Sequence, residues 1–119
     1  MSGEAQLVAA LKMVTAQVFP DFAPAGTAAP WVTWQNIGGT PLRWLNNTAA
    51  DKRKAMVQIS AWTTSRASTL DLIRQIEDAL CASTAFVARP ADEPTSLVDQ
   101  DLADPLYGSA QTFDLWVAR

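Results

Sequence analysis

Acidic side chains dominate the chemistry this chain could carry. Asp99, Asp101 and Asp104 stand close together in the run DQDLADP, a spacing at which carboxylates can share a divalent cation. The run lacks the glycine and the closing glutamate of an EF-hand loop, so it reads as a solvated acidic loop. Asp92 and Glu93 precede Pro94 and read as turn residues. Gly38 and Gly39 form no phosphate cradle, because neither GxxxxGK(S/T) nor GxGxxG follows them. The chain holds no histidine, and Cys81 is its one cysteine. Nucleophile systems of the Ser-His-Asp or Cys-His kind need an imidazole base, and zinc sites need Cys or His ligands. Neither is built from this chain alone, and no catalytic, metal-ligating or cofactor-binding residue is assigned. A single cysteine makes no internal disulfide, in agreement with a reducing compartment. On a helical pattern beside Leu80, Cys81 reads as an inert packing residue.

Basic side chains are gathered elsewhere. The stretch IGGTPLRWLNNTAADKRK, Ile37 to Lys54, mixes turn residues with Leu42, Trp44 and Leu45 and ends on Lys52, Arg53 and Lys54. Residues 36–66 hold Arg43, Lys52, Arg53, Lys54 and Arg66 against Asp51, whereas residues 67–119 hold nine acids against Arg74, Arg89 and Arg119. Such separation suits head-to-tail contacts in which a positive patch on one copy meets a negative patch on the next. Gatekeeping cations flanking an apolar strand account for it equally well. Tight DNA binders are strongly basic overall, whereas this chain carries a formal net charge of −3 and a pI near 4.7. Passive proximity to DNA is compatible with that balance and sequence-specific binding is not. No strand carries the basic and aromatic pattern of an RNA-recognition sheet.

At 119 residues and 12.9 kDa the chain is one domain's worth, 1–119, long enough to bury roughly two-thirds of its unfolded surface. Apolar residues make up 49% and charged residues 18%, the composition of a folded protein. Five tryptophans in so short a chain turn attention to assembly surfaces, where that residue is concentrated. The opening MSGEAQLVAALKMV lacks the basic start of a secretory signal, and no apolar run approaches the ~20 residues that span a bilayer. The expectation is a protein made in the cytoplasm without a membrane partner.

Leu7, Leu11, Val14 and Val18 form one apolar face, which predicts a helix over about residues 3–18, capped by Ser2 and ended by Pro20. Pro20 to Pro30 reads as a connecting loop. Trp31 to Ile37 reads as a strand stopped by Gly38, Gly39 and Pro41. From Arg53 the pattern alternates, with Ala55, Val57, Ile59 and Ala61 on one side and Met56, Gln58, Ser60 and Trp62 on the other. Thr63, Thr64 or Ser65 then caps a second helix whose inner face is Leu70, Ile73, Ile76 and Leu80. Phe86 to Ala88 and Ser96 to Leu102 read as short strands around an ADEP turn, and Ser109 to Ala118 as a final strand. The order predicts an α+β fold, a mainly antiparallel sheet packed on one face by two helices, with a long loop or arm between its early strands. The helices are expected on the Val57/Ile59 and Phe113/Leu115 side. That leaves Met56, Trp62 and Trp116 on the opposite face, where aromatic groups mark a contact surface unless a loop covers them.

The segments TWQNIGG, KAMVQISAWTTSRASTLDLIRQIEDAL and AQTFDLWV, in that order over nearly the whole chain, resemble the tail-completion or tail-terminator proteins of tailed bacteriophages, relatives of the lambda-like tail terminator. The resemblance implies a structural virion protein of the tail or neck, without enzymatic activity or cofactor, assembled in the host bacterial cytoplasm. It implies a homo-hexameric ring that caps the tail tube, stops its polymerisation and presents a surface for head-tail joining. The partners so implied are other copies, the tail tube protein and a head connector or neck protein, with DNA only passing through the lumen. Gly38 to Lys54 corresponds to the family's arm or lumen-facing loop. The expected subunit or partner interface is Leu42, Arg43, Trp44, Leu45, Lys52, Arg53, Lys54, Met56, Trp62 and Trp116. Rival readings are another neck or head-side connector, and a small ligand-binding domain or enzyme, which would need a concave site with convergent polar groups.

Overall fold

The computed structural model describes residues 3–40, 52–99 and 105–118. In chain order the elements are α1 (Gly3–Lys12), β1 (Val18–Pro20), β2 (Trp31–Thr40), β3 (Lys52–Thr63), α2 (Arg66–Ala82), β4 (Val87–Pro90), β5 (Thr95–Asp99) and β6 (Leu106–Ala118). The six strands form one open sheet in the order β1-β2-β3-β6-β4, with β5 also pairing β6. Every pairing is antiparallel except β1 with β2. This is the α+β architecture that the alternating and helical patterns predict.

Strict alternation fixes which face of the sheet is covered. On β3 the buried set is Ala55, Val57, Ile59, Ala61 and Thr63, and on the same face of β6 it is Ser109, Gln111, Phe113, Leu115 and Val117, with Gly108 and Ala110 buried from the other side. Their register pairs Val57 with Phe113 and Ala55 with Leu115, so the two sets form one continuous apolar surface. Onto it α1 brings Leu7, Ala10 and Leu11, and α2 brings Ile73, Ile76 and Leu80, with Val32, Phe86 and Ala88 closing the cluster. Phe113, Ile59, Ile73, Ile76, Leu80 and Leu11 are wholly shielded from solvent.

Ser65 begins α2 in extended backbone conformation, its side chain accepting from the Ser68 amide at 3.2 Å. One turn later Thr69 is buried where the sequence alone favours Leu70. Its Oγ1 lies 2.8 Å from the Tyr107 carbonyl, 2.9 Å from that of Ser65 and against Thr63 Oγ1, which ties the first turn of the helix to both central strands. The inner face of α2 is thus Thr69, Ile73, Ile76 and Leu80, with Leu70 and Leu72 packed at its margin.

Three expectations are corrected. The first helix ends at Lys12 instead of near residue 18. The β-branched Val14 and Thr15 give their amides to the Leu11 carbonyl in a closing turn, and Val18 leaves to pair in parallel with Val32. Gln17 holds this crossover, its Nε2 donating to the carbonyls of Ala28 and Pro30 at 2.7 and 2.8 Å. Second, Gly38 and Gly39 continue β2 to Thr40 instead of stopping it. A register shift after Asn36 takes up Ile37, and the strand proceeds with φ of 122° at Gly38 and 144° at Gly39. Third, Cys81 is exposed at the end of α2, not packed. What burial it has, with Glu77 and Asp78 nearby, pushes its thiol pKa up, which works against thiolate chemistry.

Candidate functional site

Neither helix covers the opposite face of the sheet, the uncovered face below, although Thr33, Gly108 and Ala110 on it are buried. Its positions on β3 are Lys54, Met56, Gln58, Ser60 and Trp62, and on β6 Gly108, Ala110, Thr112, Asp114 and Trp116. On β2, Trp31 and Thr33 share this face, because Val32 and Trp34 are turned to the core and Trp31 stands opposite Trp62. Three of the five tryptophans therefore lie on the uncovered side of the sheet.

The two ends of this face differ. At one end Lys54 Nζ lies 3.9 Å from Asp114 Oδ2 and 5.8 Å from the centroid of the Trp116 ring. A cation is held there between a carboxylate and an aromatic face. Trp116 pairs with Val87 of the edge strand, itself 51% exposed, so apolar surface continues to the sheet margin. At the other end the Trp62 ring lies flat over Gly108, where a Cβ would come within 2.9 Å of it. A recess of about 320 Å³ opens beside that ring, lined by Asp21, Phe22, Ala23, Trp31, Thr33, Trp62, Asp99 and Leu106. Phe22 is 75% exposed on a turn whose preceding residue, Asp21, has φ of 64°.

The edge beside β6 is broken by design of its sequence. Pro90 and Pro94 have no amide to donate, and between β4 and β5 the chain bulges. Asp92 fills the gap, its Oδ1 accepting from the Thr112 amide at 2.9 Å, while Ala91 donates to the Thr112 carbonyl at 2.8 Å. Buried Gln111 donates from Nε2 to the Asp92 carbonyl at 2.9 Å and to Glu77 Oε1 at 2.8 Å, fastening the bulge to α2. Asp92 is thus more than the turn residue its sequence suggests.

Of the expected interface residues, Lys54, Met56 and Trp116 lie at one end of the uncovered face and Trp62 at its other end. Lys52 and Arg53 begin β3, opposite Ala118 and Val117. Leu42, Arg43, Trp44 and Leu45 fall outside the described residues, as do Asp101 and Asp104. Phe22, Trp31, Asp21 and Leu106 were not singled out from the sequence. Trp31 alone carried a usable signal, since phasing the strand on Val32 and Trp34 sends it outward. A second apolar concavity, lined by Ala9, Ala10, Met13, Ala79, Ala82 and Ala85 among others, lies between the ends of the two helices. Among the described residues no three His, Cys, Asp or Glu side chains gather as metal ligands, and no helix is long and apolar enough to cross a membrane.

The described fold is a two-helix α+β sheet with tryptophans on the face opposite the helices. The chain belongs to the family of the tail completion protein gp17, whose model matches residues 5–117. It is accordingly a structural protein of bacteriophage tails, a component of the virion. No curated protein sequence matches it.

Proposed function

We propose that this chain is a tail-terminator subunit that forms a homo-hexameric ring at the head-proximal end of the tail tube. The ring ends tube polymerisation and offers the surface on which the head is joined. The observation that carries this reading is the uncovered sheet face, with Trp31 and Trp62 toward one end and Met56 and Trp116 toward the other. Aromatic surface of that kind, on a structural tail protein, is stabilised when a neighbouring subunit shields it from water. Lys52 to Lys54 at one end of the fold and the acids of residues 67–119 give the charge asymmetry that head-to-tail contacts use. DNA passes through the lumen without specific recognition.

Electron microscopy of phage lacking the protein tests the reading. Overlong tails are the expected result, whereas tail-less heads beside tails of normal length reassign it to a joining role at the neck. Light scattering of the purified chain over a concentration series is expected to reach the mass of six copies. Trp44→Ala is expected to weaken ring or tail assembly while leaving thermal stability nearly unchanged. A variant that loses stability and still makes normal tails moves Trp44 into the core.

A further inference from the structure

We propose that a second copy of this chain pairs with the open edge of β5, strand to strand and antiparallel about Leu97, and that the free chain is thereby held as a two-fold dimer. Such a dimer goes beyond the ring proposed above and does not depend on it, because a two-fold contact closes on two copies and describes the chain before it meets a tail. The directions of the backbone groups define the edge. Thr112 gives its amide to Asp92 Oδ1 and takes the Ala91 amide on its carbonyl, so it faces the β4 and β5 side of β6. In an antiparallel ladder alternate residues face alternate neighbours, so Ala110, Gly108 and Leu106 face the same way and bond to Thr95, Leu97 and Asp99. The N–H and C=O groups of Ser96 and Val98 therefore point away from β6, to an edge that no described strand occupies. Residues 95–98 are all exposed.

Edge strands are commonly closed to newcomers by proline, lysine or a bulge, and the other outer strands of this sheet are closed by proline. On β1, Gln17 accepts from the Val32 amide and Asp21 donates to the Trp34 carbonyl, which turns Val18 and Pro20 outward. Pro20 has no amide, and its carbonyl is taken by the Phe22 amide at 2.7 Å. On β4 the alternation set by Ala91 turns Ala88 and Pro90 outward, and again the proline supplies no donor. Among the described strands β5 alone offers an outward donor and acceptor at both Ser96 and Val98, and it holds neither proline nor lysine. A second copy accordingly has one edge that fits here, its own β5. The strand is complementary to itself: antiparallel pairing centred on Leu97 sets Ser96 of each copy against Val98 of the other, using every outward donor and acceptor of both strands. The same register keeps the two Asp99 residues apart, each opposite a Thr95. Leu97, 37% exposed, meets Leu97 of the second copy as a non-hydrogen-bonded pair, with Cα atoms about 4.5 Å apart. Leu97 lies opposite Gly108, Gly108 opposite Trp62 and Trp62 opposite Trp31, so the pairing runs the two copies' apolar rows into one across the uncovered face. Covering the edge also removes the template on which further chains would add.

Sedimentation of the full chain over a concentration series tests this, with charge placed at the centre of the pairing. Leu97→Lys and Leu97→Glu each set like charges opposite one another and are expected to raise the concentration for half-dimerisation roughly tenfold or more. Mixed one to one at low salt, they are expected to regain a dimer holding one of each, because the register places residue 97 against residue 97. Misfolding of either chain cannot produce that recovery. Ser96→Pro removes an outward amide that β6 does not use, and is expected to abolish the dimer while keeping the melting temperature of the parent. A Leu97→Lys or Ser96→Pro chain that dimerises like the parent overturns the proposal, and so does a mixture without recovery. A parent chain that passes from one copy to six with no species of two overturns it, leaves the ring standing and hands the β5 edge to an extended segment of another tail protein. Dimers that never reach six copies overturn the ring alone. A parent chain that stays monomeric at every concentration overturns both.

Discussion

Phe113 and Trp116 stand three residues apart on β6 and meet different surroundings. Phe113 is fully buried beneath the helices, in the cluster with Val57, Ile76 and Leu80. Trp116 lies half-buried on the other side of the same strand, beside Lys54 and the exposed Val87. Both bring large apolar area, which is worth roughly 25 cal/mol per Å² removed from water. For Phe113 that gain is realised when the chain folds. For Trp116 and Trp62, which stay partly exposed, a part of it is left for a contact the isolated fold does not make. One sheet thus carries a face sealed by two helices and a face whose tryptophans stay partly exposed.

The widest separation between the two faces is expected from a matched pair of truncations. Phe113→Ala should destabilise the chain by about 3–5 kcal/mol, the range for emptying a buried phenylalanine site, and it should be read by chemical denaturation. Trp116→Ala should cost less than about half of that, because its ring is only partly withdrawn from solvent. Its main effect should be on assembly, seen as a higher concentration for half-association. Equal losses of folding stability in the two variants would erase the distinction between the faces.

A smaller effect is expected from Gly39→Ala, which asks whether β2 is required to run on into the Ile37 to Lys54 stretch. A Cβ at residue 39 meets the Lys54 carbonyl and comes within 2.9 Å of the Ala55 Cα, at a backbone φ of 144°. The strain should be of the order of 1–3 kcal/mol and should be relieved by local separation of β2 from β3 near Lys54. Amide hydrogen exchange is expected to rise at residues 54–56 and stay unchanged at Ile59 and Ala61. Uniform acceleration along β3 would mean that the glycine pair supports the whole sheet instead of its projecting end.

Most of this layout was legible because it rests on period. Val57, Ile59 and Ala61 alternate with Met56, Ser60 and Trp62, and side chains on a strand have no other way to distribute. Helix α2 announced itself through Ser65 and the spacing of Ile73, Ile76 and Leu80. Strand β1 carried no such signal, since Val18, Phe19 and Pro20 are too few to show a period and are held by Gln17 and by β2. The recess was hidden for a related reason. Asp21 and Phe22 sit in an irregular turn, Asp99 and Leu106 come from opposite sides of the 100–104 segment, and only tertiary pairing brings them to Trp31 and Trp62. The glycine pair misled because glycine ends strands as readily as it allows two backbones to approach closely, and the sequence does not say which.

The least disruptive probe of the two faces is Lys54→Met, which keeps length and removes charge. Lys54 and Asp114 are 32% and 24% exposed, so water and salt screen the pair, and its contribution to folding should be under about 1 kcal/mol. The Trp116 ring loses a cation and gains a thioether, a contact of similar size. Folding stability should therefore shift by only a few tenths of a kcal/mol, and its dependence on salt should flatten. If Lys54 serves only its own Asp114 and Trp116, assembly of the Lys54→Met chain should match that of the parent. A large assembly defect here, with Lys52 and Arg53 intact, would show that the cation between Asp114 and Trp116 also belongs to the surface between copies.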